Sequence, residues 1–151
     1  MQRRKLLGRG LALSLSQGLA LCATGVHAAA ATLGFREMYG KVGVLGLSFS
    51  PKTQSLKGQT VSMQGFMAPP LKAEAMFFVL TEVPMALCPF CSSDSDWPNN
   101  IVVVYLTERQ TFVQNNAPIR VTGKLEVGSW TDPDTGFVSL VRITGAKFSS
   151  V

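Results

Sequence analysis

Apolar and polar positions alternate most clearly from Ile119 to Val127. Ile119, Val121, Leu125 and Val127 fall on one face, and Arg120, Thr122, Lys124 and Glu126 on the other. A period of two predicts a strand with one wet face. Val61-Ser62-Met63-Gln64-Gly65-Phe66-Met67 repeats the pattern with Val61, Met63 and Met67 together, and Ala68-Pro69-Pro70 ends it because consecutive prolines cannot donate to a ladder. Ala75 to Leu80 and Ile101 to Leu106 are instead continuous apolar runs rich in Phe and Val. Their shortness and β-branched content predict strands buried on both faces. Phe137 to Ile143 follows Ile119–Val127 across a turn-rich connection, Trp130 to Gly136. Val42 to Phe49, apolar with interspersed glycines, reads as a further strand ended by Ser50-Pro51-Lys52-Thr53. The only helical signal past residue 28 is a short turn at Phe35–Tyr39. Six short strands with almost no helical periodicity predict a mainly β fold, a single small barrel or sandwich. The segment Val121-Thr122-Gly123-Lys124-Leu125 followed by Val138 to Phe148 has the strand–Gly–strand character of an oligonucleotide/oligosaccharide-binding (OB)-like barrel.

The first residues follow a different logic. Arg3, Arg4, Lys5 and Arg9 precede an uncharged stretch from Leu11 to Val26, and Val26-His27-Ala28 and the alanines behind it offer small residues for cleavage. Ser14, Ser16, Gln17 and two glycines make the stretch too short and too polar for a stable span of roughly 20 residues. Residues 1–28 are therefore expected to be an export signal peptide, and residues 29–151 one β domain in the periplasm. Arg3-Arg4-Lys5-Leu6-Leu7 resembles the twin-arginine signal, which implies export of an already folded protein. Leu21 before Cys22 is not the small residue that lipidation wants, so a lipid anchor at Cys22 is disfavoured.

Removing the leader changes the charge. The whole chain carries a net charge of +5, but four of its fourteen basic residues lie before residue 10 and all nine acidic residues lie after residue 30. Ten cations against nine anions leave +1, so the basic character belongs to export and not to a nucleic-acid partner. The leader also takes away the single histidine, His27, and one of three cysteines, Cys22. The mature region holds two thiols, Cys88 and Cys91, and no imidazole.

Three chemistries fit Cys88-Pro89-Phe90-Cys91. Redox catalysis needs a lowered thiol pKa, usually from a helix N-terminus. Here Ser92 to Asn100 is turn-forming, Pro98 interrupts it, and Asp94 and Asp96 would raise a nearby thiol pKa. Metal binding needs ligands beyond the two thiolates, and the candidates are Met85, Asp94, Asp96, Met63 and Met67. Thiolate with thioether is a soft set that suits copper(I) better than zinc. Met63 and Met67 have a competing role as core filler, whereas Met85 stands three residues before Cys88. The third chemistry is a local disulfide that shapes a loop in an oxidising compartment. Without histidine there is no Ser-His or Cys-His pair, and no Gly-rich phosphate loop precedes a helix, so a binding role is expected over an enzymatic one.

Gly65-Phe66-Met67-Ala68-Pro69, the run Phe77 to Leu80, Met85 to Cys91 and Asn100 to Val104 together resemble an uncharacterised bacterial periplasmic family, a domain of unknown function. The resemblance implies a secreted protein with a cysteine loop before a valine-rich strand. Some similar proteins are encoded beside ABC-transporter permeases or metal-uptake systems, which implies an accessory role with ABC-transporter components as partners. The expectation is thus an exported, non-catalytic protein that holds a soft metal ion, with a thiol–disulfide oxidoreductase or a disulfide-shaped partner-binding module as alternatives.

Overall fold

The computed structural model describes residues 29–41, 47–69, 76–85 and 97–151. The proposed leader, with Cys22, lies outside the described residues, as do Cys88, Cys91, Asp94 and Asp96. The elements run β1 (Ala31–Thr32), α1 (Phe35–Met38), α2 (Pro51–Leu56), β2 (Thr60–Met67), β3 (Phe77–Thr81), β4 (Ile101–Leu106), β5 (Pro118–Thr131) and β6 (Val138–Ser150). The protein is mainly β, as expected from the alternation.

The strands form one sheet in the order β1-β2-β3-β4-β6-β5, and β2 also pairs with β5, so the last five close into a ring. β4 and β6 run parallel, and the other pairs within the ring are antiparallel. This is a five-stranded OB-like barrel. The register shows which side chains face inward: Met67 is level with Leu80, Leu80 with Val102, Val104 with Ile143, and Ile143 with Leu125. Met63 is level with Val121, and all of these residues are buried. The β2–β3 seam has only two register pairs, Phe66 with Thr81 and Met67 with Leu80. β1 pairs in parallel with Val61 and Ser62, and Leu33, Phe35 and Met38 add buried apolar surface after it.

The two apolar runs are buried on both faces because two layers cover them. Phe78, Leu80, Val102 and Val104 point into the barrel, while Phe77, Val79 and Val103 on the opposite face are also buried. At one end the β5–β6 connection folds over that outer face: Phe137 packs on Phe77 with ring centroids 5.6 Å apart, and Trp130 meets Tyr105 edge-on at 5.4 Å.

One expectation is corrected. Ser50-Pro51-Lys52-Thr53 does not merely end a strand; it begins α2. Ser50 is the N-cap, its Oγ accepting from the Thr53 N–H at 3.1 Å, and Pro51 occupies the first turn. A proline that stops a strand is equally suited to open a helix, and the serine before it decides. Thr53 Oγ1 donates to the Met38 carbonyl at 2.8 Å and Lys52 Nζ reaches Glu37 at 2.8 Å, tying α2 to α1. Of the predicted strand Val42–Phe49, residues 42–46 lie outside the described residues, and Phe49 forms an isolated bridge with Tyr39.

Two glycines permit close approach inside the barrel. A Cβ on Gly65 would stand 2.6 Å from the Thr81 carbonyl oxygen, and one on Gly123 would stand 2.7 Å from Ile143 Cγ2 and 2.8 Å from the Thr144 carbonyl. Gly123 sits at a register shift between β5 and β6, where such irregularities help long strands coil round a small barrel. Gly65→Ala and Gly123→Ala are each expected to lower unfolding free energy by about 1–3 kcal/mol in urea titration. Gly40→Ala, whose Cβ meets Ser48 Oγ at an ordinary 3.4 Å, should change it by less than about 0.5 kcal/mol.

Candidate functional site

The connection between β3 and β4 carries the cysteine pair, and the structure describes both of its stems. The Glu82 N–H donates to the Asn100 carbonyl at 3.1 Å, continuing the ladder one step past Thr81 and Ile101. On the outgoing side Thr81 Oγ1 donates to the Val83 carbonyl at 2.7 Å, and Asn115 Nδ2 donates to the Met85 carbonyl at 3.0 Å. On the returning side Trp97 is buried, and its Nε1–H donates to the Tyr39 hydroxyl at 2.8 Å. Tyr39 in turn stacks on Phe49, with centroids 5.4 Å apart and planes 26° from parallel. The stems are therefore fixed by the barrel, by the segment after β4 and by the residue that follows α1.

The three candidate thioethers separate sharply. Met63 and Met67 lie in the barrel core, fully buried on β2, and do the packing that a methionine usually does in a β domain. Met85 is only partly buried, on the outgoing stem. Among the described residues no group of three or more His, Cys, Asp or Glu side chains stands close enough to hold a metal ion.

Beside the stems lies a cleft of about 300 Å³. Phe35, Tyr39 and Leu47 supply its apolar wall, and Arg36, Glu82 and Asn99 its polar side. Arg36 Nε donates to Glu82 Oε1 at 3.1 Å, joining the helical turn to the outgoing stem. The helical signal at Phe35–Tyr39 was visible in the sequence. Nothing local marked Glu82, 46 residues away, as the partner of Arg36.

A second cluster lies on the outer face of the barrel, at the β5–β6 hairpin. Arg142 lies over the Trp130 ring at 5.1 Å, and its guanidinium donates to Glu126 at 3.1 Å and to the Gly128 carbonyl at 2.9 Å. Asp132 is buried in the β5–β6 turn. Burial alone would raise its pKa, but its Oδ1 accepts from the Thr135 hydroxyl and from the Thr135 and Asp134 N–H groups, and the net effect holds the carboxyl below the usual aspartate value. Next to it, burial pushes the Tyr105 phenol far above the ordinary tyrosine range, and the Asp132 charge adds to the shift. The Tyr105 hydroxyl is enclosed and faces the Asp132 carboxylate, whose pKa it helps to lower. Glu37, exposed on α1, is held below the usual glutamate value by Lys52 first and by the Gly34 N–H second.

Among the described residues, a closed β ring with two short helices defines the class, a small OB-like barrel protein. No family model matches the chain, and no curated protein matches its sequence. In structure it is similar to a DUF3299 family protein from Pseudomonas aeruginosa PAO1, with a TM-score of 0.56 and 14% sequence identity, over 82% of this chain and 97% of that one. At that identity the fold is what the two share, and it is a fold found in a domain of unknown function. No helix among the described residues is long and apolar enough to cross a membrane.

The depressed pKa of Asp132 carries a sign. A carboxyl whose folded value lies below its unfolded value of about 4 stabilises the fold fully above that value, and loses the contribution as pH falls through the folded value. Asp132→Asn is expected to be less stable than the parent at neutral pH. The gap should narrow steadily as urea midpoints are measured from pH 5 down to pH 2, and a gap that widened on acidification would contradict this account.

Proposed function

We propose that this chain is an exported, periplasmic, non-catalytic accessory protein whose Cys88-Pro89-Phe90-Cys91 segment holds a soft metal ion, in the service of an ABC-type transport system. One observation carries the reading: past the leader, two thiols three residues apart are the only strong soft ligands in a region without histidine. Thiolates at that spacing chelate one ion, and copper(I) accepts two or three sulfur ligands where a closed zinc site wants four. Met85 is the thioether best disposed to complete the set, being on the stem and partly exposed. With Met63 and Met67 committed to the core, Asp94 and Asp96 are the remaining additions from this chain. Fixed stems also favour binding, because ligands held by a rigid frame lose less entropy when they close on an ion.

The leader and the metal are tested on one sample. Protein purified anaerobically from the periplasm is expected to begin between Ala28 and Ala31, to carry stoichiometric copper(I) or zinc, and to yield two free thiols once the metal is chelated away. Cys88→Ser with Cys91→Ser should remove the metal and leave the fold intact, checked by circular dichroism. Metal-free protein with a stable disulfide would support the loop-shaping alternative, and reduction of insulin by the wild-type protein would support the oxidoreductase. Either result overturns the metal reading.

A further inference from the structure

The cleft beside the stems has a chemistry independent of the cysteines. We propose that it binds a small zwitterion with an apolar side chain, of the α-amino-acid class.

The argument starts from what the Arg36–Glu82 pair leaves unused. The pair is single-pronged: Arg36 donates through Nε to Glu82 Oε1. A guanidinium carries five N–H donors and a carboxylate two acceptor oxygens. The four terminal N–H groups of Arg36 and the Oε2 atom of Glu82 make no hydrogen bond to other described side chains or backbone. The Arg36 side chain is 92% exposed and that of Glu82 33% exposed, so both open toward the cleft mouth and solvent. A carboxylate can meet the outer fork of Arg36 with two parallel hydrogen bonds, and an ammonium can meet the free oxygen of Glu82. Both can happen with the existing ion pair intact.

Charge selects against the simpler ligands. An anion that reached Arg36 would come close to the Glu82 carboxylate, and a cation that reached Glu82 would face the Arg36 guanidinium. A neutral polar molecule could hydrogen-bond to both but would bring no charge to match either, and charge-assisted bonds are about twice as strong. A ligand carrying both charges a few ångströms apart answers both groups at once, which is the arrangement in the backbone of a free amino acid. Asn99 adds an amide that can donate to the carboxylate or accept from the ammonium.

The apolar wall sets the side chain. Phe35 is buried, Tyr39 is held by the Phe49 stack and the Trp97 hydrogen bond, and Leu47 is left 37% exposed. The wall is therefore largely preformed, and covering Leu47 with a branched aliphatic group would remove apolar surface from water. A volume of about 300 Å³ sits at the small end of ligand pockets and is large enough for one amino acid.

The experiment is calorimetric titration of the purified protein with L-leucine, with 3-methylbutan-1-amine, which lacks the carboxylate, and with 4-methylpentanoate, which lacks the ammonium. Saturable leucine binding is expected, with each single-charge analogue and glycine weaker by about tenfold or more. Arg36→Gln and Glu82→Gln should each weaken leucine by a similar factor. An unchanged urea midpoint for both variants separates lost binding from unfolding. Leucine also chelates metals, so Cys88→Ser with Cys91→Ser must retain full leucine affinity. Loss of binding in that double variant would assign the ligand to the metal site and sink this proposal while leaving the metal reading intact. No saturable heat up to about 10 mM leucine, or equal affinity for the single-charge analogues, would also overturn it.

Discussion

Everything in this molecule depends on the pairing of β2 with β5. Among the described elements β5 is the longest strand, and it carries long ladders on both edges, to β2 over Thr60–Phe66 and to β6 along most of its length. Without the β2 ladder the sheet would have two open edges and an inner face exposed to water. With it, the inward rows of five strands meet in one core, and the backbone groups of both edges are satisfied. The requirement for small residues at Gly65 and Gly123 follows directly, because a ring of five strands brings β2 against β3, and β5 against β6, more tightly than a Cβ allows at those two points.

Closure also places the surface features. Once β3 and β4 are locked side by side, the connection between them must leave and return at adjacent points, and Glu82 and Asn100 become hydrogen-bonded neighbours. α1 and the residue after it then lie against those stems, through Arg36 to Glu82 and Tyr39 to Trp97. The proposed soft-metal loop and the proposed zwitterion cleft share this frame but use different atoms. The β5–β6 turn curls over Phe77 and Tyr105, so the outer face of β3 and β4, which open OB barrels offer to ligands, is here partly covered by the protein's own aromatic side chains.

The strands were largely legible because their signal is local. Ile101–Leu106 matches β4 at both ends, Val61–Met67 matches β2 within one residue, and the inward set Ile119, Val121, Leu125 and Val127 is buried as the alternation required. β5 and β6 run further than the pattern suggested because their ends carry Gly, Ser, Thr and Lys, which pair through the backbone without an apolar signature. β1 was not legible at all: two residues paired in parallel to β2 have no period to detect. α2 is not legible because Ser50-Pro51 suits the end of a strand as well as the start of a helix, and its six residues are too short for a clear helical period.

By itself, the chain's order of residues determined the β character, the inward faces and the concentration of soft ligands at Cys88 and Cys91, since alternation and composition need no knowledge of neighbours. Tertiary structure alone decided which strands are adjacent, that Met63 and Met67 belong to the core while Met85 is only partly buried, and that Arg36 meets Glu82. Those facts depend on contacts between residues far apart in the chain, and such contacts are set by how the sheet closes, which no local period records.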